Sequence, residues 1–360
     1  MIKAKDYQIL KYQLILVAVF ILFYSYSQHS NFTYFTTSPN GLSQSVVNNI
    51  TQDSKGYLWL STNSGLNKFD GLNFKTFYRE NGLKSNVVNC VSERDSGEIW
   101  VGTTKGLNII DDNNLVLSTA KFFNNWINSW EDDLLINHLY TNSKKELFIS
   151  QLNNNKTVFS NLFSWDGKKL IQHDLHVKSK ISCMIEFNND MFIGTEKGLV
   201  MLSNDTTIIY DTSNSFTSNK IKSLCVFKNQ LLISTEENGG LYILSENKIY
   251  KDSIYCNLIR EDTIYNKNDV LIISNIESDK DRLLLSIVGN LYIFDNLKIK
   301  HLGWHNGLYK AKIIDLKIDS ENSIWISIYG SGLAQYRENP FITYGEKYGY
   351  SGNVRSLYID

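Results

Sequence analysis

Three aspartates recur at matching places in the chain, Asp53, Asp95 and Asp319. Carboxylates converging on one cleft would be the acid and base of glycoside hydrolysis. Here each is soon followed by Gly56, Gly97 or Asn322 and then by an apolar strand, so each reads as a turn former instead. The four cysteines, Cys90, Cys183, Cys225 and Cys256, have a spacing that resembles no metal motif. Three of them fall inside short apolar strands, where a thiol acts as a small buried hydrophobe, so buried free thiols and no catalytic cysteine are expected. His305 has no second ligand at metal spacing, and no metal or cofactor is expected. The side chains suited to binding are aromatic: Trp304 with His305 and Asn306 ahead of one apolar strand, Trp126 and Trp130 among asparagines, and Tyr329 in a turn. Aromatic faces beside amides fit sugar rings, whose C–H faces stack while their hydroxyls need donors and acceptors. The same tryptophans could equally act as lids on neighbouring strands.

The elements that must carry these residues come from a repeat. Gly41 to Asp70 reads GLSQSVVNNITQDSKGYLWLSTNSGLNKFD and Gly82 to Asp111 reads GLKSNVVNCVSERDSGEIWVGTTKGLNIID. Trp59 to Trp100, Gly56 to Gly97 and Gly65 to Gly106 are each 41 residues apart. With any large apolar residue allowed at the tryptophan position, further copies centre on Phe148, Phe192 (with Gly198), Leu232, Leu284 and Trp325 (with Gly332), which makes seven. The third and sixth are degenerate or carry insertions, and Asp252 to Asn268 is an insertion without an assigned role. Within the first copy, strands are expected at Val46 to Ile50, Tyr57 to Ser61, Leu66 to Phe69 and Phe74 to Phe77, with turns at Asp53 to Gly56 and at Gly65. A four-stranded sheet of this kind cannot bury both faces alone, so copies stack around an axis. The expected fold is all-β: a β-propeller of about seven four-stranded antiparallel blades over residues 28–340. The recurring tryptophans then pack between blades, and the loops entering each first strand meet those joining second to third strands at one mouth.

Composition agrees. Aromatics make up 13% and only Pro39 and Pro340 are prolines, which favours strands and turns. With 36 basic and 37 acidic residues there is no electrostatic footprint for nucleic acid. Lys3, Lys5 and Lys11 precede an apolar run from Leu14 to Phe23, followed by Ser25 and Ser27, which reads as a secretory signal peptide over residues 1–27, or a signal anchor if uncleaved. The body is expected to be exported. Phe32 to Thr36 stands at the same distance from the following Gly-Leu as Phe74 to Phe77, so it is expected to complete the blade that holds Trp325. Gly352 to Asp360 resembles Ser45 to Asp53 and is read as the start of a second propeller over residues 341–360.

The pattern Leu-Trp-Leu/Val-Gly/Ser-Thr followed by Gly-Leu, carried by Trp59, Thr62, Gly65 and Leu66 and by Trp100, Gly102, Thr103, Gly106 and Leu107, resembles the two-component regulator propeller repeat. The resemblance covers roughly residues 32 to 360. It implies the extracytoplasmic sensor region of a bacterial signalling protein of the Bacteroidetes type, at the periplasmic face of the inner membrane. It also implies an oligosaccharide or other small-molecule ligand, a homodimeric full-length protein, a membrane span beyond this chain, and a histidine kinase or transcription-regulator output. No catalytic residue is expected in this region. The alternatives from other classes are an exported enzyme acting on polysaccharide and a protein-interaction scaffold.

Overall fold

Alternating apolar residues and turn formers decide the first blade. Its strands are β2 (Val47–Gln52), β3 (Leu58–Thr62), β4 (Gly65–Phe69) and β5 (Phe74–Phe77), paired antiparallel in that order. Between β2 and β3 the Asp53 carboxylate accepts the amides of Lys55 (3.0 Å) and Tyr57 (2.9 Å), and Gly56 supplies the left-handed conformation at φ 88°. Between β3 and β4 the Thr62 hydroxyl donates to the Gly65 carbonyl (2.7 Å) and accepts the Ser64 amide (3.1 Å). Thr103 with Gly106 and Thr195 with Gly198 repeat that bond, which is why Thr-x-x-Gly recurs in the sequence. The second and third strands thus begin or end a residue away from the expected bounds, because Thr62 and Gly65 themselves pair and leave a two-residue turn.

The structure, a computed structural model, describes residues 31–37, 41–118, 134–153, 159–203, 206–213, 216–236, 240–245, 248–261, 271–296 and 298–338. The remaining strands form six more sheets of four, each in chain order. They are β6 (Val88–Asp95), β7 (Glu98–Thr103), β8 (Gly106–Ile110) and β9 (Val116–Ser118); β10 (Leu135–Thr141), β11 (Leu147–Asn153), β12 (Phe159–Trp165) and β13 (Leu170–His173); and β14 (Ile181–Phe187), β15 (Asp190–Thr195), β16 (Gly198–Ser203) and β17 (Thr206–Tyr210). Then come β18 (Ile221–Phe227), β19 (Gln230–Thr235), β20 (Gly240–Ser245) and β21 (Lys248–Lys251), and β22 (Ile273–Ser278), β23 (Arg282–Ile287), β24 (Asn290–Asp295) and β25 (Lys298–Leu302). The seventh sheet takes β26 (Ile313–Ile318), β27 (Ile324–Ile328) and β28 (Gly332–Tyr336) from the end and β1 (Phe32–Phe35) from the beginning. Phe32 lies opposite Tyr336 and Phe35 opposite Leu333, the closure expected from the spacing of Phe32 to Thr36.

The core is shared between blades. Seven apolar clusters among the described residues each join two neighbouring blades, and the one holding Trp325, Leu333, Val47, Leu60 and Phe69 joins the last to the first. The seven landmark side chains, Trp59, Trp100, Phe148, Phe192, Leu232, Leu284 and Trp325, are all 0–4% exposed. A ring closed in this way leaves no sheet edge at the join. Gly102 and Gly194 mark how tightly blades meet, since a Cβ at either would lie 2.7 Å from the side chain of Ile136 or Ile221 in the next blade.

One expectation needs correction. Asp95 does not build the turn that Asp53 builds: it ends β6 after a bulge at Arg94, accepts the Ser96 amide and pairs with Lys145, while Glu93 takes the Gly97 amide. The insertion after β21 contains an α-helix, Ile254–Glu261, whose Cys256 and Ile259 are buried against the fifth and sixth blades and whose first amides bond to Asp252. All four cysteines are free thiols; Cys90, Cys225 and Cys256 are buried, and Cys183 is half-buried. The segments 1–30 and 339–360, with the expected signal peptide and second propeller, lie outside the described residues, as do Trp126 and Trp130.

Candidate functional site

The first strand of every blade faces the axis, and every one carries a bulge near its start, at Asn48, Asn89, Asn137, Ser182, Lys222, Ser274 and Ile314. A bulge re-aims the side chains around it and strengthens local twist. All seven bulge residues line one axial cavity of about 980 Å³. Four of them tie each blade to the next: Asn48 donates to the Val88 carbonyl (3.0 Å), Asn89 to Ile136 (2.8 Å), Asn137 to Ile181 (3.1 Å), and Ser182 to Ile221 (2.7 Å).

Below this belt a second ring of cavity residues reads Asn49, Cys90, His138, Cys183, Ser223, Asn275 and Asp315. Asp315 serves the closure seam, its carboxylate accepting the Ile50 amide (2.8 Å), the Asn49 side chain (3.2 Å) and the Leu316 amide (3.0 Å). Burial pushes its carboxyl up to about 7, against the pull of those amides. His138 is lowered to about 4, by burial and by the nearby Lys180 charge. Glu277 and Lys317 form an ion pair at 2.9 Å, and the carboxylate beside it holds the Lys317 ammonium above its ordinary value. Burial raises both cavity thiols, that of Cys183 to about 12, so neither is a thiolate nucleophile.

Above the belt lies the rim. Lys180, Lys220 and Lys312 immediately precede the bulged strands of the fourth, fifth and seventh blades. Their carbonyls accept the amides of Glu196 (3.2 Å), Glu236 (2.8 Å) and Tyr329 (2.9 Å) from the second-to-third-strand turns. Lys222, one bulge position, stands 3.8 Å from Glu236. Tyr329 is 62% exposed and lines the cavity, so the expected convergence of the two loop sets holds for it. Trp304, His305 and Asn306 form a 3-10 turn in the loop entering β26, closed by Gly307 at φ 97°, with the indole over the imidazole. They are not among the cavity-lining residues, and Trp304 is 60% exposed. Sequence reading missed the lysines, although Lys-Ile recurs at 180–181, 220–221 and 312–313 as a visible signal. Among the described residues no group of three His, Cys, Asp or Glu could hold a metal ion.

The site therefore offers amides, ammonium groups and one exposed aromatic ring around a ligand-sized polar cavity. Two stretches, residues 41–64 and 82–105, match the family described as two component regulator propeller. Those two stretches are the first two copies of the repeat described above, and they are what this chain has in common with that family. A histidine kinase P4 of Formosa agariphila is 52% identical over 52 residues, 14% of this chain and 4% of that protein. The extracellular domain of the putative one component system BT4673 from B. thetaiotaomicron shares the fold with a TM-score of 0.63 and 19% identity, over 86% of this chain and 40% of that one. A streptogramin B lyase structure reaches a TM-score of 0.62 at 11% identity, over 84% of this chain and 96% of the lyase. The chain spans less than half the length of the kinase and of the extracellular domain that it matches. Because a lyase has the same fold, the fold alone does not decide between sensing and catalysis.

Proposed function

We propose that this propeller is the exported ligand-sensing part of a longer signalling protein, one that recognises an oligosaccharide at the channel mouth. Its occupancy would regulate a histidine kinase or transcription-regulator output carried by the rest of a membrane-attached homodimer. The observation behind this reading is the axial cavity of about 980 Å³, lined by amides and lysines and bordered by Tyr329. That volume matches small-molecule sites, which run from about 300 to 1,000 Å³. A ligand that binds one arrangement of the assembly better than another shifts the population towards it.

Catalysis is the weaker reading because the cavity's deep carboxylates are committed elsewhere. Asp315 accepts backbone amides from two blades and Glu277 is paired with Lys317. A flat interaction scaffold fits less well than a module with a concave polar cavity. The test is isothermal calorimetry of the propeller against a panel of neutral and charged oligosaccharides. The expected result is saturable one-site binding that Tyr329→Ala weakens about tenfold, the loss of a stacking contact of roughly 1–1.5 kcal/mol. Turnover of any sugar, or uniform absence of binding, would overturn the sensor reading.

A further inference from the structure

The loops entering β6 and β26 share one backbone and differ in what they carry. Each holds a 3-10 turn closed by a glycine in the left-handed region, Gly82 at φ 104° and Gly307 at φ 97°. In each an asparagine side chain accepts the amide three residues before it, Asn81 from Tyr78 (2.8 Å) and Asn306 from Gly303 (3.2 Å). The leucine after the glycine, Leu83 or Leu308, is buried in both. On this common frame the first turn bears Arg79, Glu80 and Lys84, and the second bears Trp304, His305 and Tyr309 at the same places. The polar set builds the turn equally well, so the aromatic set answers to something other than blade geometry.

The rings are held in place yet open to solvent. Trp304 lies against His305 with ring centroids 3.5 Å apart, and Tyr309 stacks on Tyr34, whose hydroxyl accepts the Tyr309 amide (3.2 Å). Both Trp304 and Tyr309 remain exposed. The neighbouring turns depart from the ring's pattern in the same direction. The residue after the second strand is Asn63, Thr104, Glu196 or Glu236 in four blades, but Val288 in the sixth and Tyr329 in the seventh, both exposed. These pieces meet at one place: a Cβ on Gly289 would lie 2.7 Å from the Ala311 carbonyl, the Ala311 amide bonds to the Tyr309 carbonyl (2.9 Å), and the Tyr329 amide bonds to that of Lys312 (2.9 Å). Tyr329 and Lys312 also line the axial cavity, so the aromatic patch continues outward from its mouth.

We infer that this patch is an outer sugar-binding platform, on which Trp304 and Tyr309 stack the rings of an oligosaccharide too long for the cavity, as its chain leaves past Tyr329. This rests on the sensing reading above and adds to it a preference for long chains over short ones. Tyrosine and tryptophan offer an apolar face with a polar handle and lose little conformational freedom on binding, which suits pyranose rings. A protein partner fits the patch less well, because a stable interface takes roughly 20–30 residues a side and an aliphatic as well as aromatic centre. Here Val288 is the aliphatic member beside three aromatic rings.

The experiment is calorimetry on the propeller with di-, tetra- and hexasaccharides of the neutral β-glucan, xylan and galactan series. In the series that binds, the hexasaccharide is expected to bind tenfold or more tightly than the disaccharide. The variants Trp304→Arg and Tyr309→Lys install the residues that the same turn carries ahead of β6. Each should weaken the hexasaccharide roughly five- to tenfold, the loss of one stacked ring, and leave the disaccharide unchanged. Unchanged disaccharide affinity also reports that the cavity and the fold are intact. Affinity independent of length, or a length gain that survives both substitutions, would overturn the platform and leave sugar sensing standing. Equal losses for short and long sugars would place these rings in support of the cavity and overturn it as well. Failure of every sugar to bind would remove both readings.

Discussion

Asp319 accepts three hydrogen bonds at once: the Glu321 amide (2.9 Å), the Ser323 amide (2.8 Å) and the indole of Trp325 (2.7 Å). Asp53 does the same for Trp59, whose indole lies 2.7 Å from its carboxylate. Removing such a carboxylate leaves a buried indole N–H without its acceptor, which costs roughly 1–3 kcal/mol. Asp319→Ala should therefore lower the urea midpoint of unfolding substantially, whereas Asp95→Ala should shift it little, because Trp100 bonds to Glu98 and the Asp95–Lys145 pair is exposed. Sequence reading saw all three as turn formers and missed the indole bond, since that partner is chosen by strand pairing rather than by the turn. A second residue gives a pH signature. The Asp315 carboxyl titrates near 7 in the fold against an ordinary 3.8, so folding favours its protonated form. That contribution is complete below pH 3.8 and is lost as pH rises through 7. The wild type is expected to lose stability relative to Asp315→Asn across that window, by at most about 1.4 kcal/mol per unit of pKa separation. Urea titrations of the two proteins at pH 4, 5.5 and 7 would show a constant difference if Asp315 were not the cause.

At the scale of elements the outlying strand is β1. It contributes Phe35 to the cluster around Trp325 and Phe32 to the one around Tyr336, and Tyr34 stacks on Tyr309 with ring centroids 4.1 Å apart. Deleting residues 32–36 leaves the seventh blade with three strands and uncovers the edge of β28. The truncated propeller is expected to unfold at lower denaturant and to self-associate through that edge, read by gel filtration with light scattering. A monomeric truncation of unchanged stability would show that the latch is dispensable. This strand was legible because its spacing to Gly41-Leu42, nine residues from Phe32 to Gly41, comes within one residue of the eight from Phe74 to Gly82. The helix Ile254–Glu261 was not, although Asp252 ahead of apolar residues at 254, 258 and 259 is a capped amphipathic pattern. It interrupts a strand repeat, and a search tuned to the repeat passes over it.

At the scale of the whole molecule, the number of blades and their order were readable from glycines and tryptophans whose positions answer to backbone conformation and inter-blade packing. The site was readable only in part. Tyr329 was named because loop position alone places it at the mouth, while Trp304 belongs to the correct loop set but to a turn outside the cavity lining. Which side chain of a loop reaches the axis depends on the bulge in the strand that follows, and no residue type announces that bulge: Asn, Ser, Lys and Ile all occupy it. The polar belt below the rim was hidden for the same reason.

The pairing of β1 with β28 also has a consequence in time. Six blades are made of neighbours in the chain and can assemble from hairpins as each becomes available, but the seventh needs Phe32 to find Tyr336, about three hundred residues away. Contacts of such sequence separation are entropically late, and they set the pace for folds that depend on them. Pairing of β1 with β28 is therefore expected to follow the local hairpins of all seven blades. What the first strand made supplies is the outer seam between the last and first blades, while the wall of the axial cavity there belongs to β26.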